Sequence, residues 1–466
     1  MSIKCLKEFC LSNKNLLLML STPVNIGDGK VGNLFVYSED FVDPGEEYYH
    51  HPKDTLKFAM FGPNGEKMWE KDLGQGVLPG VWFCPVLPLD LDQDGIDEIY
   101  FVNNLSELHP FTMVYRYLEA ISPLTGETID RWQWPMNTFE DRMSLCYRFY
   151  LVAGYSKGEP VLITSQGTYG DMYLQAYGPG MTKKWERKIS KDEKGPKASH
   201  ITPVIDFNDD GIDELFWGER LISLEDGNDV MCFDKSYYGH SDILIPFVDY
   251  DTGKKYLFTG REGYDEIPPR VVTFNEDGSK AWEAIDQGHI HYGWIANINI
   301  QGKNRRIAMA MKIVQSYAEQ GVAIDDKVEY YFDAYTGEVV LSTIPFKGAD
   351  VFPIDINGDG YSEFFCYEGE NKGWILDSNG NKIFKISEDF ESHVHAHKNG
   401  YILDEYKCEQ LMLSGKDGIV RIYGDTNAKG SEIFNYRHNY KGYHKACQKL
   451  MASGYNNVLA NSTCGI

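Results

Sequence analysis

The chain has 466 residues with a formal net charge of −24, and its 42% hydrophobic and 24% charged content is typical of a soluble, ordered protein. The excess of acid argues against nucleic acid and anionic membranes as partners, because such surfaces repel a protein with a net charge of −24. Nine scattered cysteines without a CxxC pair exclude a disulfide framework or a cysteine-based zinc site, and they predict a reducing compartment.

The N-terminal segment carries Lys4 and Lys7, but its apolar run at residues 16–20 is too short and too late for a secretion signal. No stretch has the length and apolarity of a membrane span. As the chain is written, the sequence predicts a cytoplasmic protein, or a secreted one if a signal was removed. The sequence leaves the oligomeric state open.

One structural unit recurs along the chain: an apolar strand, a turn with Asp or Asn, a second strand, and a glycine hairpin. The hairpin leads to an aromatic or apolar strand, as Asn64-Gly65-Glu66 leads to Trp69. Glycine permits the positive φ of such tight turns. About eight units begin near residues 14, 78, 143, 197, 239, 288, 347 and 391. Their spacing is typical of propeller blades.

We therefore predict an all-β fold, an eight-bladed β-propeller, with seven blades as the alternative because two units are weakly marked. A single domain is expected over residues 1–466, with blades from 14 to 436 and a C-terminal closing segment at 437–466. Helix content should be low. One short helix is predicted from Tyr443 to Met451.

Three acidic loops of one design interrupt these units. Each has oxygen-bearing side chains at alternate positions, glycine at the sixth place and glutamate at the ninth, which suits Ca²⁺. They are not EF-hands, because the twelfth places hold Phe101, Trp217 and Cys366 instead of glutamate and strands follow instead of helices. We predict that Ca²⁺ bound here joins blades. The expected ligands are Asp90, Asp92, Asp94, Glu98, Asp206, Asn208, Asp210, Glu214, Asp355, Asn357, Asp359 and Glu363.

Four of the units begin with histidine, although the chain has only 12. His200 precedes the strand that leads into the second acidic loop, and His240 has the same place in the next unit. Equivalent positions on adjacent blades face one side of a propeller, so these two should converge at its axial mouth as proton-transfer groups. The alternative is that each caps a strand or fills a blade junction. The later members are His289, His291, His393, His395 and His397.

These segments form an ordered set. Ser199-His200, the second acidic loop and Gly239-His240-Ser241-Asp242 are similar to the pattern NH…DxDGDGxDEI…GHGDA. Residues 165–177 are similar to RGxYTR…AYD, and residues 420–423 and 443–457 to ALRIYT and YR…QNVGYNQP. In this order, from about residue 78 to 457, the chain resembles the rhamnogalacturonan lyases of polysaccharide lyase family eleven.

The resemblance implies a calcium-rich, eight-bladed propeller that cuts an acidic polysaccharide or oligosaccharide of the pectin type by β-elimination. It matches His200 and His240 to the family's two cleft histidines, which we expect to be the catalytic proton-transfer pair. It also matches Tyr455 to a tyrosine that lines the sugar site. The reaction needs a cation or an arginine to neutralise the uronate carboxylate before the neighbouring proton becomes acidic.

The chain departs from the family where that charge would be supplied. His291-Tyr292-Gly293 stand where the family has Gly-Arg-Gly, and Glu391-Ser392-His393-Val394 stand where it has Asn-Gly-Thr-Lys. Arg261-Glu262 replace His-Glu, so Arg261 is a candidate for the missing charge. The predicted substrate-binding residues are His291, Tyr292, Arg261, His393 and Tyr455.

Three functions remain open on the sequence alone. The first is a calcium-dependent lyase acting on a uronic-acid-containing glycan. The second is a propeller that binds a glycan or a protein through the same face without catalysis. The third is a hydrolase that uses paired carboxylates, for which Glu262 and Asp265 are candidates.

Overall fold

The structure is a computed structural model in which nearly all secondary structure is β. It describes the chain except for residues 12–17, 41–52, 81, 107–109, 111, 113, 136–146, 168–169, 263–268, 286–287, 301–302, 314–326, 341–343, 388, 391–396, 401, 404 and 439–466. None of the helices in this described part is long and apolar enough to cross a membrane.

The strands are β1 (Ile3–Cys10), β2 (Leu18–Asn25), β3 (Val31–Ser38), β4 (Lys57–Phe61), β5 (Lys67–Asp72), β6 (Val86–Leu89), β7 (Glu98–Asn104), β8 (Arg116–Ile121), β9 (Thr128–Gln133), β10 (Phe149–Ser156), β11 (Glu159–Gln166), β12 (Met172–Gly178), β13 (Thr182–Ile189), β14 (Val204–Ile205), β15 (Glu214–Phe216), β16 (Arg220–Ser223), β17 (Asp229–Cys232), β18 (Ser241–Val248), β19 (Lys255–Arg261), β20 (Val271–Asn275), β21 (Lys280–Ala284), β22 (His289–Ile300), β23 (Lys303–Ile313), β24 (Lys327–Asp333), β25 (Val351–Ile354), β26 (Glu363–Cys366), β27 (Trp374–Leu376), β28 (Lys382–Lys385), β29 (His397–Gly400), β30 (Gln410–Ser414) and β31 (Ile419–Asp425). The helical elements are two 3-10 turns, Pro179–Met181 and Gly348–Asp350, and the helix α1 (Glu432–His438).

These strands form eight antiparallel sheets, of which seven have four strands and one has three in the described residues. In chain order, blades 1 to 7 are β2–β5, β6–β9, β10–β13, β14–β17, β18–β21, β22–β24 and β25–β28, and blade 8 has the order β1-β31-β30-β29. First strands of neighbouring blades contact one another in the pairs β2–β6, β6–β10, β10–β14, β18–β22 and β22–β25, as expected of strands around a propeller axis. The predicted eight-bladed propeller is confirmed, and the seven-bladed alternative is wrong.

The N-terminal strand closes the ring. β1 is the outer strand of blade 8 and pairs with β31, from Ile3 opposite Asp425 to Cys10 opposite Ile419. The predicted boundaries, with the first blade at residue 14, missed this strand because its partner lies at the far end of the chain. Most of the predicted closing segment, and the helix predicted from Tyr443 to Met451, lie outside the described residues. The described helix is α1.

The recurring glycine and aromatic pair is a contact between blades. Trp69 in β5 packs over Gly126 in the β8–β9 hairpin, and its Nε1 donates to the carbonyl of Pro123 at 2.7 Å. Gly126 has φ +73°, and a Cβ there would lie 2.9 Å from the indole, so only glycine fits without a shift. The same contact recurs as Trp185 on Gly227 and Trp282 on Gly337.

The acidic loops join the first two strands of blades 2, 4 and 7 and share one hydrogen-bond pattern. In the first loop, the Gly95 N–H donates to Asp90 Oδ2 at 3.0 Å and the Leu91 N–H to Glu98 Oε2 at 3.2 Å. The same bonds link Gly211 to Asp206, Phe207 to Glu214, Gly360 to Asp355, and Ile356 to Glu363.

Each acidic loop is also bonded to the preceding blade. The Asp97 N–H donates to the Asn25 carbonyl at 2.9 Å, so the loop of blade 2 is held to the end of β2. The corresponding bonds are Asp213 to Tyr155 at 2.8 Å and Ser362 to Asn297 at 2.7 Å. The loops therefore connect neighbouring blades through their own main chain.

Candidate functional site

Histidines meet at one end of the ring, where the first strands of blades 4, 5 and 6 begin. His200 lies just before β14 and His240 just before β18, while β22 carries both His289 and His291. Two carboxylates lie among them. We call the set the histidine cluster: His200, His240, Asp242, Glu262, His289 and His291.

Main-chain bonds between blades 4 and 5 bring His200 beside His240. Ser199 and Ser241 form a parallel bridge, and the His200 N–H donates to the Ser241 carbonyl at 3.1 Å. The two imidazole centroids are 5.0 Å apart. The structure thus brings together the two histidines that the sequence placed in register on adjacent blades.

Two β-bulges aim the central groups of the cluster. The pairing of β18 with β19 passes from Ser241 to Ile243, which leaves Asp242 as the extra residue. The pairing of β22 with β23 passes from Ile290 to Tyr292, which leaves His291 as the extra residue. Bulges redirect side chains and are common beside functional sites. Here they bring Asp242 of blade 5 against His291 of blade 6.

Asp242 is the common partner of four imidazoles. Its Oδ1 lies 3.4 Å from His200 Nδ1 and 3.3 Å from His240 Nε2. Its Oδ2 lies 2.8 Å from His289 Nε2 and 3.0 Å from His291 Nδ1. One buried carboxylate therefore orients four rings that come from three blades.

Glu262 encloses His240 from the other side. Its Oε2 contacts His240 Nε2, and its Oε1 lies 3.4 Å from His289 Nδ1. The Glu262 N–H donates to the His240 carbonyl at 3.0 Å. Tyr237 donates its hydroxyl proton to the carbonyls of both His240 and Glu262, so a buried phenol holds the two residues together.

Arg261 does not face the cluster, contrary to its predicted role in substrate binding. Its side chain is 0% exposed, and its guanidinium donates to Glu219 through Nε at 2.7 Å and to Asp234 through Nη2 at 2.9 Å. It also lies over the ring of Tyr237, 4.1 Å from the centroid. A side chain bound in this way has no surface for a sugar carboxylate, and it supports the cluster from behind.

The other predicted substrate-binding residues have different placements. Tyr292 is directed into the core, where its hydroxyl donates to the Val351 carbonyl at 3.0 Å, so its predicted substrate contact does not fit the structure. The His291 side chain is 38% exposed and is accessible from solvent. His393 and Tyr455 lie outside the described residues, as does the carboxylate Asp265.

The cluster shifts the pKa values of His200 and His240 in opposite directions. Burial lowers the pKa of His200 to about 3, although Asp242 partly offsets this. Burial also opposes a charge on His240, but the hydrogen bonds and negative charges of Asp242 and Glu262 outweigh it and raise its pKa to about 9. Despite its burial, Glu262 has a lowered pKa because His240 donates to it.

The donors of the cluster fall into two overlapping groups that suit a cation, one of His200, His240, Asp242 and Glu262, the other of Asp242, His289 and His291. Within each group the ligating atoms lie within 4.8 Å of one another. Asp242 Oδ1 is buried and makes no hydrogen bond of good geometry. Buried carboxylate oxygens rarely lack a well-formed hydrogen bond, and those that do commonly bind a cation instead.

The sequence indicated the histidines but not the carboxylates that organise them. Asp242 belongs to the quoted segment Gly239–Asp242 without being singled out, and Glu262 was considered only as a candidate hydrolase carboxylate. An acidic residue at the start of an otherwise apolar strand was the available indication, since charged residues are almost never fully buried unless paired.

No protein-family model matches the chain, and no curated protein matches its sequence. Solved structures do match. The exotype rhamnogalacturonan lyase YesX has a TM-score of 0.78 and 17% identity over 96% of this chain and 80% of that one. A rhamnogalacturonan lyase of Bacillus licheniformis has a TM-score of 0.75 and 17% identity, over 98% and 81%. The rhamnogalacturonan lyase YesW has a TM-score of 0.74 and 16% identity, over 97% and 80%. At these identities the likeness shows a shared propeller fold.

Proposed function

We propose that this protein is a polysaccharide or oligosaccharide lyase that cleaves a uronic-acid-containing, rhamnogalacturonan-like glycan by β-elimination at the histidine cluster. The observation that carries the proposal is the convergence of His200, His240 and Asp242 at the axis of a propeller shared with rhamnogalacturonan lyases. A fold by itself does not assign an activity. The proposal therefore depends on the chemistry of the cluster.

β-Elimination at a uronate makes two demands on the protein. A base takes the C5 proton, the C4–O bond breaks with its electron pair on the glycosidic oxygen, and a C4–C5 double bond forms. The leaving oxygen takes up a proton, and no water is consumed. The C5 proton becomes acidic only when the adjacent carboxylate charge is neutralised. A proton acceptor and a positive charge must therefore lie side by side.

We assign proton acceptance to His200 and cation binding to His240. The His200 side chain is 13% exposed and that of His240 is 2% exposed, so a sugar entering from solvent reaches His200 first. Asp242 faces His200 Nδ1 and orients the ring, which directs Nε2 away from the carboxylate. His240 lies beside it, enclosed by Asp242 and Glu262.

His240, Asp242 and Glu262 would hold the required positive charge as ligands of a divalent cation. Their ligating atoms lie within 4.8 Å of one another, and Asp242 Oδ1 is buried among them. When bound there, such an ion supplies charge that neutralises the uronate carboxylate. The buried carboxylates of Asp242 and Glu262 orient toward this position and set its charge.

We propose a separate, structural role for Ca²⁺ in the acidic loops. In the first loop, the ligating atoms of Asp90, Asp92, Asp94 and Glu98 lie within 4.8 Å of one another, and Asp90 Oδ1 is buried without a hydrogen bond. Burial, together with the charges of Asp92 and Asp90, raises the pKa of Glu98 to about 7. A calcium ion would relieve this crowding of negative charge.

The proposed partner is an acidic glycan, and the cytoplasm is the proposed location. The described cysteines are all free, which fits a reducing compartment. Cell fractionation with an antibody to the full chain tests the location. Recovery with secreted proteins would contradict it.

The lyase proposal is tested by incubating the full chain with rhamnogalacturonan, homogalacturonan and glucuronate-containing glycans, with divalent cations or with EDTA. We expect the ultraviolet absorbance of a new C4–C5 double bond, lost in EDTA and in His200→Gln. His438→Gln is the matched control, because His438 is also a buried histidine paired with a carboxylate, Glu409, but lies in α1. New reducing ends without absorbance would point to a hydrolase and contradict the proposal.

The second candidate is a propeller that binds a glycan without cleaving it. The burial of Arg261 and Tyr292 favours it, because both were expected to contact the substrate. In this case the glycan is retained on the immobilised protein, no double bond appears, and His200→Gln leaves retention unchanged. Retention that persists in His200→Gln with no turnover by the native chain would replace the lyase proposal.

A further inference from the structure

The proposed reaction uses Asp242 but gives no role to His289 or His291, which form a second donor group with it. We propose that this group binds a divalent transition-metal ion, bridged through Asp242 to the cation position formed with His240 and Glu262. The inference concerns metal binding and is tested without activity. Its value for catalysis rests on the proposed function.

The distances around Asp242 Oδ2 suit one shared ion. His289 Nε2 and His291 Nδ1 lie 2.8 and 3.0 Å from this oxygen. An ion with tetrahedral ligands about 2.0–2.1 Å away separates its donors by roughly 3.3 Å. A small adjustment of the three side chains therefore accommodates it.

The kind of ion follows from the donors. Ca²⁺ takes oxygen ligands, as the acidic loops provide, whereas imidazole nitrogen suits Zn²⁺, Co²⁺, Ni²⁺ or Fe²⁺. Two imidazoles and one carboxylate form a common ligand set for such ions. The chain thus offers two chemically different kinds of cation site.

His289 is held as a metal-ligating histidine usually is. Its Nε2 is directed to the shared position, while its Nδ1 lies 3.4 Å from Glu262 Oε1. A ligating imidazole commonly directs its second nitrogen to a carboxylate, which fixes the ring and makes the ligand more basic. Glu262 would then act on both positions, as a ligand of one and as support for the other.

The site has an open side. The side chains of His289 and Asp242 are 9% and 2% exposed, but that of His291 is 38% exposed. Three protein ligands with solvent on one side leave room for a fourth ligand, as in sites that bind a substrate. A uronate carboxylate could occupy that place and receive the charge that buried Arg261 does not offer.

The two oxygens of Asp242 face opposite sets of donors. Oδ1 faces His200 and His240, and Oδ2 faces His289 and His291. A carboxylate placed in this way can bridge two ions, which lie about 3.5–4 Å apart in two-metal sites. Asp242 is therefore the residue on which both positions depend.

The test uses the full chain, free of any affinity tag, stripped with a chelator and titrated with Co²⁺ in the presence of excess Ca²⁺. Bound cobalt is measured by elemental analysis after desalting and by its visible absorption. We expect about two equivalents in the native chain, about one in His289→Gln/His291→Gln and in His240→Gln, and none in Asp242→Asn. His438→Gln controls for the loss of a buried histidine.

The single variant His291→Gln tests the same site with little risk of misfolding, because this side chain is partly exposed. It should weaken cobalt binding at one position at least tenfold. Equal cobalt uptake by the native chain and the His289→Gln/His291→Gln variant would overturn the inference. Lyase activity without cobalt uptake would overturn it and leave the proposed function standing. Cobalt uptake without lyase activity would support the metal site and remove only its proposed role in catalysis.

Discussion

The acidic loops and the histidine cluster are both built around carboxylates, but they are assembled in different ways. Each acidic loop takes its donors from nine consecutive residues, and the same loop is written three times. The cluster draws its six side chains from segments between His200 and His291 on three blades. The difference shows that a stabilising site can be local, whereas this candidate site exists only when three blades are in register.

The two regions also differ in the donors they present. The acidic loops offer only oxygen atoms, some of them buried, while the cluster combines nitrogen and oxygen around Asp242, whose side chain is 2% exposed. We therefore expect damage to the loops to lower stability and damage to the cluster to abolish chemistry. The following variants test this separation, in order of decreasing effect.

Asp242→Asn should have the largest effect. Asparagine keeps the shape of the side chain but loses the charge that orients four imidazoles. A loss of kcat/KM on the order of 10³ to 10⁴ is expected, as when the carboxylate behind a catalytic histidine is neutralised. Initial rates of double-bond formation measure it, with exposed Asp130→Asn as the control. A loss below tenfold would remove Asp242 from the centre of the site.

Arg261→Met should be the most destabilising of these variants. It leaves the Glu219 carboxylate buried without its cation, which costs about 3–5 kcal/mol. Arg421→Met is the control, because Arg421 pairs with Glu8 and Asp417 at the surface, where such pairs contribute about 0–1 kcal/mol. Urea unfolding measures both variants. Equal losses of unfolding free energy in Arg261→Met and Arg421→Met would show that the buried pair does not support the cluster.

Glu98→Gln should lower the stabilisation that Ca²⁺ gives without changing turnover. A ligand present at 100 times its Kd adds about 2.7 kcal/mol per site to the free energy of unfolding. The variant should lose this contribution from one loop. Thermal unfolding over a Ca²⁺ titration measures it. The glutamine oxygen can still accept from the Leu91 N–H. An unchanged response to Ca²⁺ would contradict a calcium site in this loop.

Gly95→Ala should have the smallest effect. Gly95 has φ +92° and no atom within 4 Å of a Cβ, so only backbone strain of about 1–2 kcal/mol is added. Gly360 has nearly the same φ, but its Cβ would lie 2.7 Å from Ile433 in α1, so Gly360→Ala should cost more. Chemical unfolding separates the two costs. Identical losses of unfolding free energy would mean that α1 moves aside for the added Cβ at no cost.

The propeller could be predicted because its blade contacts leave local traces in the sequence. The glycine of each hairpin and the tryptophan before it, such as Gly126 and Trp69, mark one blade against the next. Counting the recurring units of strand, turn, strand and hairpin gave about eight blades. The same counting placed His200 and His240 at equivalent positions, and they lie together in the structure.

The rest of the site depends on features that a single sequence does not display. Asp242 and His291 are aimed by bulges, and a bulge changes which face a residue takes without changing the residue. Arg261 was expected to supply positive charge to the substrate because Arg261-Glu262 stand where the family has His-Glu, but a charged residue can be buried when it is paired. Its carboxylate partner Glu219 lies 42 positions earlier in the chain, so no local pattern indicated its burial.

The pairing of β1 with β31 has a consequence for how the protein is made. Ser2 is bonded to Asp425 across 423 positions, so the last blade lacks its outer strand until nearly the whole chain exists. At 5–20 residues per second, a ribosome needs roughly 20–85 s to reach that point. During this time β1 is an unpaired strand, and such edges are prone to aggregate. We expect blade 8 to form last and chaperones to act mainly before it does.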